Sequence, residues 1–159
     1  MEKLKIYLDT NTIIDFFINQ TLAIKQGKEL KMTEKMKFFI ANLERFEFVT
    51  SFLTKTEIGR ELSSSFKLEK TEIERLWRTF IEALKCNVVE KFEFNMKLAD
   101  LAIDTGMKLR TIVNFQHLFI AINENAYFVT GDKDLIKIAR SHKIYDKVLS
   151  YIDLRKIII

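Results

Sequence analysis

The chain has 159 residues, 48% of them apolar and 30% charged, a size and balance that build one folded core over 1–159 and exclude a disordered or fibrous protein. A single cysteine, Cys86, and two histidines, His117 and His142, exclude an intrachain disulfide and a Cys- or His-rich zinc site, so a bound metal would be held by oxygen. The formal net charge of +4 favours an anionic partner, no apolar run reaches the length of a membrane span, and the N-terminus lacks a cleavable-leader pattern, so a cytoplasmic protein is expected.

Residues 5–8 form a short apolar run ending at Asp9, and the polar stretch Asp9-Thr10-Asn11-Thr12 leads into Ile13, Ile14, Phe16 and Phe17, which predicts strand, turn and helix. A second strand is predicted over 46–50. Thr54 and Glu57 then have the spacing of a capping box ahead of Ile58 and Leu62. Over 69–84, Ile73, Leu76, Trp77, Phe80, Ile81 and Leu84 recur at three-and-four spacing, the stripe of an amphipathic helix. Trp77 and Phe80 are therefore expected in the core or a dimer interface rather than as a base-stacking platform. A third strand follows at 87–89, then helices near 94–103 and 113–122, with Gly106 suited to a helix end. A fourth strand at 127–129 runs into Thr130-Gly131-Asp132-Lys133-Asp134 and a helix through Ile136 and Ala139. A fifth strand is expected between 147 and 152.

Strands alternating with helices predict a parallel sheet covered on both faces, with ligands outside the carboxyl ends of the strands. Asp9 and Asp132 stand at two such ends, and Glu57 opens a helix that starts from the same edge. Two carboxylates about 4 Å apart repel by about 4 kcal/mol at an effective dielectric near 20. A cluster of three implies a cation, and Mg2+ or Mn2+ suits carboxylate and phosphate oxygens. Phosphodiester hydrolysis is the chemistry such an ion supports. Each acid also has a plainer use, Asp9 and Asp132 as helix N-caps and Glu57 as the acid of the capping box.

Taken together, these motifs resemble the PIN-domain family over nearly the whole chain. Ile6-Tyr7-Leu8-Asp9-Thr10-Asn11 resembles its opening strand and first acid, Thr56-Glu57-Ile58 its second acidic motif, and Thr130-Gly131-Asp132-Lys133-Asp134 its last. The family's remaining acid opens a helix and is followed, in many members, three residues later by histidine. The matching segment is Asn114-Phe115-Gln116-His117-Leu118, so asparagine stands at that acidic position. The resemblance implies a three-layer α/β/α sandwich around a mostly parallel sheet of four to five strands. It also implies a Mg2+- or Mn2+-dependent ribonuclease, with Asp9, Glu57, Asn114 and Asp132 as the catalytic set. The metal ligands would be Asp9, Glu57, Asp132 and Asp134, the last supplying the charge that Asn114 lacks. Small stand-alone members are often the toxin half of a toxin–antitoxin pair, so RNA, an antitoxin protein and a second copy of the chain are the expected partners.

Asn114 motivates a competing expectation, a degenerate member that binds RNA or a protein without cleaving. His117, on a mainly apolar helix, is expected to be packed and hydrogen-bonded outside the site. Two basic groups, Lys25, Lys28, Lys31, Lys35 and Lys37, and Lys133, Lys137, Arg140 and Lys143, are candidate phosphate contacts. The opening Asp9-Thr10-Asn11-Thr12 also resembles haloacid-dehalogenase-like phosphatases, which need a second aspartate where Asn11 stands.

Overall fold

Side chains alternate between the two faces of a strand, and the first strand, β1 (Leu4–Leu8), shows what that does here. Ile6 and Leu8 enter one buried cluster and Tyr7 enters the other. In the computed structural model, which describes residues 2–158, β1 is followed by α1 (Thr10–Gln26), α2 (Glu34–Ala41), β2 (Phe46–Ser51), α3 (Phe52–Phe66), α4 (Lys70–Leu84) and β3 (Asn87–Val89). The second half contains α5 (Met96–Thr105), α6 (Leu109–Asn123), β4 (Tyr127–Val129), α7 (Lys133–Ser141), β5 (Val148–Leu149) and α8 (Tyr151–Ile158). The five strands form one all-parallel sheet in the order β3-β2-β1-β4-β5.

Helices α1 to α4 and α8 cover one face, packing Phe16, Phe17, Phe39, Leu62, Phe80 and Leu154 against Ile6, Leu8 and Phe48. Helices α5 to α7 cover the other, where Leu98, Phe115, Leu118 and Leu135 meet Tyr7, Val49 and Phe128. Trp77 and Phe80 are core residues, and Phe17 stacks on the Trp77 ring at 6.2 Å between centroids. The chain builds outward from β1 to β2 and β3, then crosses back to lay β4 on the other side of β1. The strand order therefore reverses between β1 and β4, the position where open α/β sheets leave a crevice.

The differences from expectation lie in helices. α2 and α8 were not foreseen, and α8 takes Tyr151 and Ile152 from the predicted fifth strand. The cause is a reciprocal cap: Asp153 N–H donates to Ser150 Oγ at 3.1 Å and Ser150 N–H donates to Asp153 Oδ2 at 3.3 Å. Gly106 ends α5 in the left-handed region at φ 60°, the conformation that favours glycine.

Candidate active site

The backbone closes the β1/β4 switch point, where Asp9 N–H donates to Val129 O at 2.9 Å. Asp9 caps α1 and is 1% exposed. Its carboxylate accepts from Thr10 N–H at 2.8 Å, the Thr130 hydroxyl at 2.7 Å and Asn11 Nδ2 at 3.2 Å. Asn11 also spans the crevice, donating to Thr130 Oγ1 at 3.2 Å and accepting from Gly131 N–H at 2.8 Å. Thr130 Oγ1 accepts from Asp132 N–H at 3.1 Å, so one hydroxyl links the two aspartates. Asp132 caps α7 by accepting Leu135 N–H at 3.0 Å, and its other oxygen accepts from Asn114 Nδ2, also at 3.0 Å. For both aspartates the capping role and a place in the crevice coincide.

Glu57 is not the acid of a capping box. α3 begins at Phe52 and is capped by Ser51, whose Oγ accepts from Thr54 N–H at 3.4 Å. The strand before it runs one residue further than predicted, and Ser51 reaches the cap position before Thr54 does. Glu57 thus lies in the second turn of α3, where Oε1 accepts from the Thr10 hydroxyl at 2.8 Å and pairs with His117 Nε2. His117 is wholly buried. Its Nδ1 lies 2.8 Å from the Tyr7 hydroxyl, which lies 2.7 Å from Ser51 Oγ. A histidine on an apolar helix is packed and hydrogen-bonded, as expected, but its partner is one of the three acids.

Asp9 and Glu57 are shifted in opposite directions. Burial pushes the Asp9 carboxyl above its usual range, although the Thr130 hydrogen bond pulls the other way. Burial acts on Glu57 too, but hydrogen bonds from His117 and Thr10 and the charge of Arg110 together hold its carboxyl below the ordinary value. Arg110 is exposed in the first turn of α6, four residues before Asn114 and seven before His117, so the three share one face.

Among the described residues, no three His, Cys, Asp or Glu side chains stand close enough to enclose a metal ion. The three acids are neighbours through shared hydrogen-bond partners rather than around one centre. A hard divalent ion does not need a complete cage, since Mg2+ usually takes one or two carboxylates and fills its shell with water and phosphate oxygens. The donors fit such an ion in kind, because all are oxygens. They also fit in charge: Asp9 and Asp132 form no salt bridge among the described residues, and a buried, unneutralised carboxylate is relieved by a cation. Glu57 Oε2 takes no hydrogen bond among the described residues. Asp134 is exposed in the first turn of α7 and outside this network, where it complements the helix dipole.

Several of the predicted basic residues are engaged elsewhere. Lys25 donates to Phe66 O, while Lys35, Lys37 and Arg140 pair with Asp15, Glu34 and Asp153. Lys133 and Lys137 are exposed on α7, the helix that Asp132 caps. Thr10, Asn11, Tyr7 and Arg110 were not singled out from sequence. Only Arg110 carried a usable signal, its one-turn spacing from Asn114.

A family model described as PIN domain matches residues 6–141. No curated protein matches the chain. Among solved structures, it is similar to a chain of VapBC2 from Rickettsia felis bound to a DNA fragment from their promoter, at 16% identity and a TM-score of 0.52, covering 92% of this chain and 97% of that one. It is also similar to a chain of VapBC-1 from nontypeable Haemophilus influenzae, at 19% identity and a TM-score of 0.52, covering 87% and 94% respectively. At these identities the likeness carries the fold.

Proposed function

The chain belongs to the PIN domain family, and from that membership we propose that it is a metal-dependent endoribonuclease centred on Asp9, Glu57 and Asp132, with Asn114 beside them. The observation that carries this is Asp9, a buried carboxylate at the β1/β4 switch point whose hydrogen bonds all come from neutral groups. Mg2+ or Mn2+ is the cofactor, and when bound it supplies positive charge to a phosphodiester and acidifies a water.

The chain's own residues position the acids. Thr130 and Asn11 fix Asp9, Asn114 and the α7 N-terminus fix Asp132, and Thr10 and His117 hold one oxygen of Glu57 while the other takes no hydrogen bond among the described residues. Arg110, Lys133 and Lys137 are exposed and suited to RNA phosphates. Because two of the solved structures the chain is similar to are of VapBC2 and VapBC-1, an antitoxin protein is the proposed partner and toxin the proposed role, exercised in the cytoplasm. No helix among the described residues is long and apolar enough to cross a membrane. Phe94, Met96, Ile103 and Leu109, exposed along α5 and its flanks, support pairing with a second copy of the chain.

The test is RNA cleavage with Mg2+, with Mn2+ and after chelation, in the wild type and in Asp9→Ala. Cleavage that needs a divalent ion and disappears in the variant is expected. If no divalent ion supports cleavage, the second function stands, a PIN domain that holds RNA or a protein without cutting. The observation favouring it is the Asn114 amide that occupies an oxygen of Asp132.

A further inference from the structure

We propose that Tyr7 and His117 are positioning residues for Glu57, joined in a buried relay that selects which Glu57 oxygen faces the site. This rests on the reading of Glu57 as a site acid. The relay runs from the N-cap of α3, Ser51, to its second turn. Ser51 Oγ accepts the Thr54 N–H at 3.4 Å, which leaves the Ser51 hydroxyl hydrogen for the Tyr7 oxygen 2.7 Å away. The Tyr7 hydrogen then has His117 Nδ1 as its acceptor at 2.8 Å. With a lone pair on Nδ1, the ring proton sits on Nε2 and is donated to Glu57 Oε1.

In this order each donor has an acceptor. The reverse tautomer, protonated on Nδ1, would set the bare Nε2 lone pair against a carboxylate oxygen, two acceptors face to face in a buried place. The second contact of Tyr7, to Thr54 Oγ1 at 3.5 Å, is at the outer limit of a hydrogen bond and does not alter the order.

The holders are more rigid than what they hold. Tyr7 is wholly buried in β1, which is paired on both sides by β2 and β4, and its ring lies against Phe128 and His117 at 5.9 and 5.8 Å between centroids. His117 is wholly buried on α6. Close-packed side chains of this kind cannot swing to follow a partner. The Glu57 side chain is 31% exposed and belongs to a different helix. Its orientation is therefore set from outside α3: Oε1 is held by His117 and Thr10, and Oε2 takes no hydrogen bond among the described residues. Partners that orient a ligating carboxylate are typically worth about 10- to 100-fold in metal affinity or activity.

Ring-nitrogen NMR of the metal-free protein, Mn2+ affinity and RNA cleavage kinetics test the relay. The wild type should carry the His117 proton on Nε2, and Tyr7→Phe should move the Nδ1 resonance while leaving the proton in place. Tyr7→Phe should also weaken Mn2+ binding and lower kcat by about tenfold with KM within about twofold, and His117→Ala should cost about a hundredfold. His117→Gln, which offers an amide N–H near the Nε2 position, should recover most of that loss. This rescue is not expected of a ring that merely fills the core. If His117→Ala does not fold, Tyr7→Phe and His117→Gln carry the test.

A proton on Nδ1 in the wild type, or wild-type kcat and Mn2+ affinity in Tyr7→Phe, overturns the relay. A wild type that binds Mn2+ but cleaves no RNA overturns the nuclease reading alone, and the spectrum and Mn2+ affinities then decide the relay. A wild type that neither cleaves nor binds Mn2+ overturns both.

Discussion

The two halves of the site are held by opposite means. Asp9 is fixed by two short polar side chains, Thr130 just after β4 and Asn11 in the first turn of α1, and Asp132 by Asn114 and the α7 N-terminus, with Thr130 Oγ1 bonded to both aspartates. Glu57 is fixed by His117, a large ring from the second core that is itself tied to Tyr7. The first arrangement is built mainly at two strand ends, with one arm from α6, whereas the second needs β1, α3 and α6 to be packed before it exists. Their electrostatics differ to match: the Asp9 carboxyl is pushed up by burial, while the hydrogen bonds on Glu57 outweigh its burial and hold it down. The half with less compensation for its charge is the one that gains most from a cation.

The largest expected effect follows from that asymmetry. Asp9→Ala should lower single-turnover RNA cleavage by about a thousandfold, beyond the 10- to 100-fold typical of residues that act through a ligand. Glu57→Gln should cost about a hundredfold. If the two variants fell equally, the halves would not differ in what they contribute. Asn114→Asp probes the first half from the other direction. It replaces the amide donated to Asp132 by a second carboxylate, so in EDTA the protein should lose about 2 kcal/mol to urea unfolding, below the roughly 4 kcal/mol of two close charges at a dielectric near 20. Mn2+ should restore the loss. Unchanged stability in EDTA would show that the Asn114 hydrogen bond does not hold Asp132.

The opposite shifts also give opposite pH dependences in ion-free protein. The Glu57 carboxyl is held below its ordinary value of 4.5, so its contribution is present above about pH 4.5 and is lost as pH falls through the lower folded value. Burial pushes the Asp9 carboxyl above its ordinary value of 3.8, so its contribution is present below about pH 3.8 and lost as pH rises through the folded value. The penalty of Glu57→Gln should therefore be larger at pH 7 than at pH 3.5. Asp9→Asn should compare more favourably with the wild type at pH 7 than at pH 3.5. Urea unfolding across that range checks both signs.

The same division explains what could be read in the sequence. Asp9 and Asp132 were legible because Asp9 directly follows a recognisable strand and Asp132 follows another by a short turn, and the strands at 87–89 and 127–129 match β3 and β4 in full. Glu57 was less so: its helix starts from the same edge, but Thr54 and Glu57 mimic a capping box while the real cap, Ser51, sits at the end of β2. The family resemblance was needed to outweigh the capping reading. Its partner His117 is 60 residues away, and Tyr7 is 110 residues from His117. No local pattern reports a pairing across such separations. α2 was missed for a different reason: Thr33 caps it, but Met36, Phe38, Phe39 and Ile40 crowd together without the spacing of a clear stripe.

The smallest expected effect concerns the edge of the second half. Arg110 shares a face of α6 with Asn114 and His117, and its charge helps to lower the Glu57 carboxyl. Being exposed, it contributes little to folding, so Arg110→Ala should leave the unfolding midpoint nearly unchanged. A phosphate contact there would show instead in binding: KM should rise about threefold with kcat within about twofold, and the slope of log affinity against log salt should fall by about one. If kcat falls and the salt slope does not, Arg110 acts on Glu57 rather than on RNA. The second half of the site would then extend from the buried Tyr7 ring to the surface of α6.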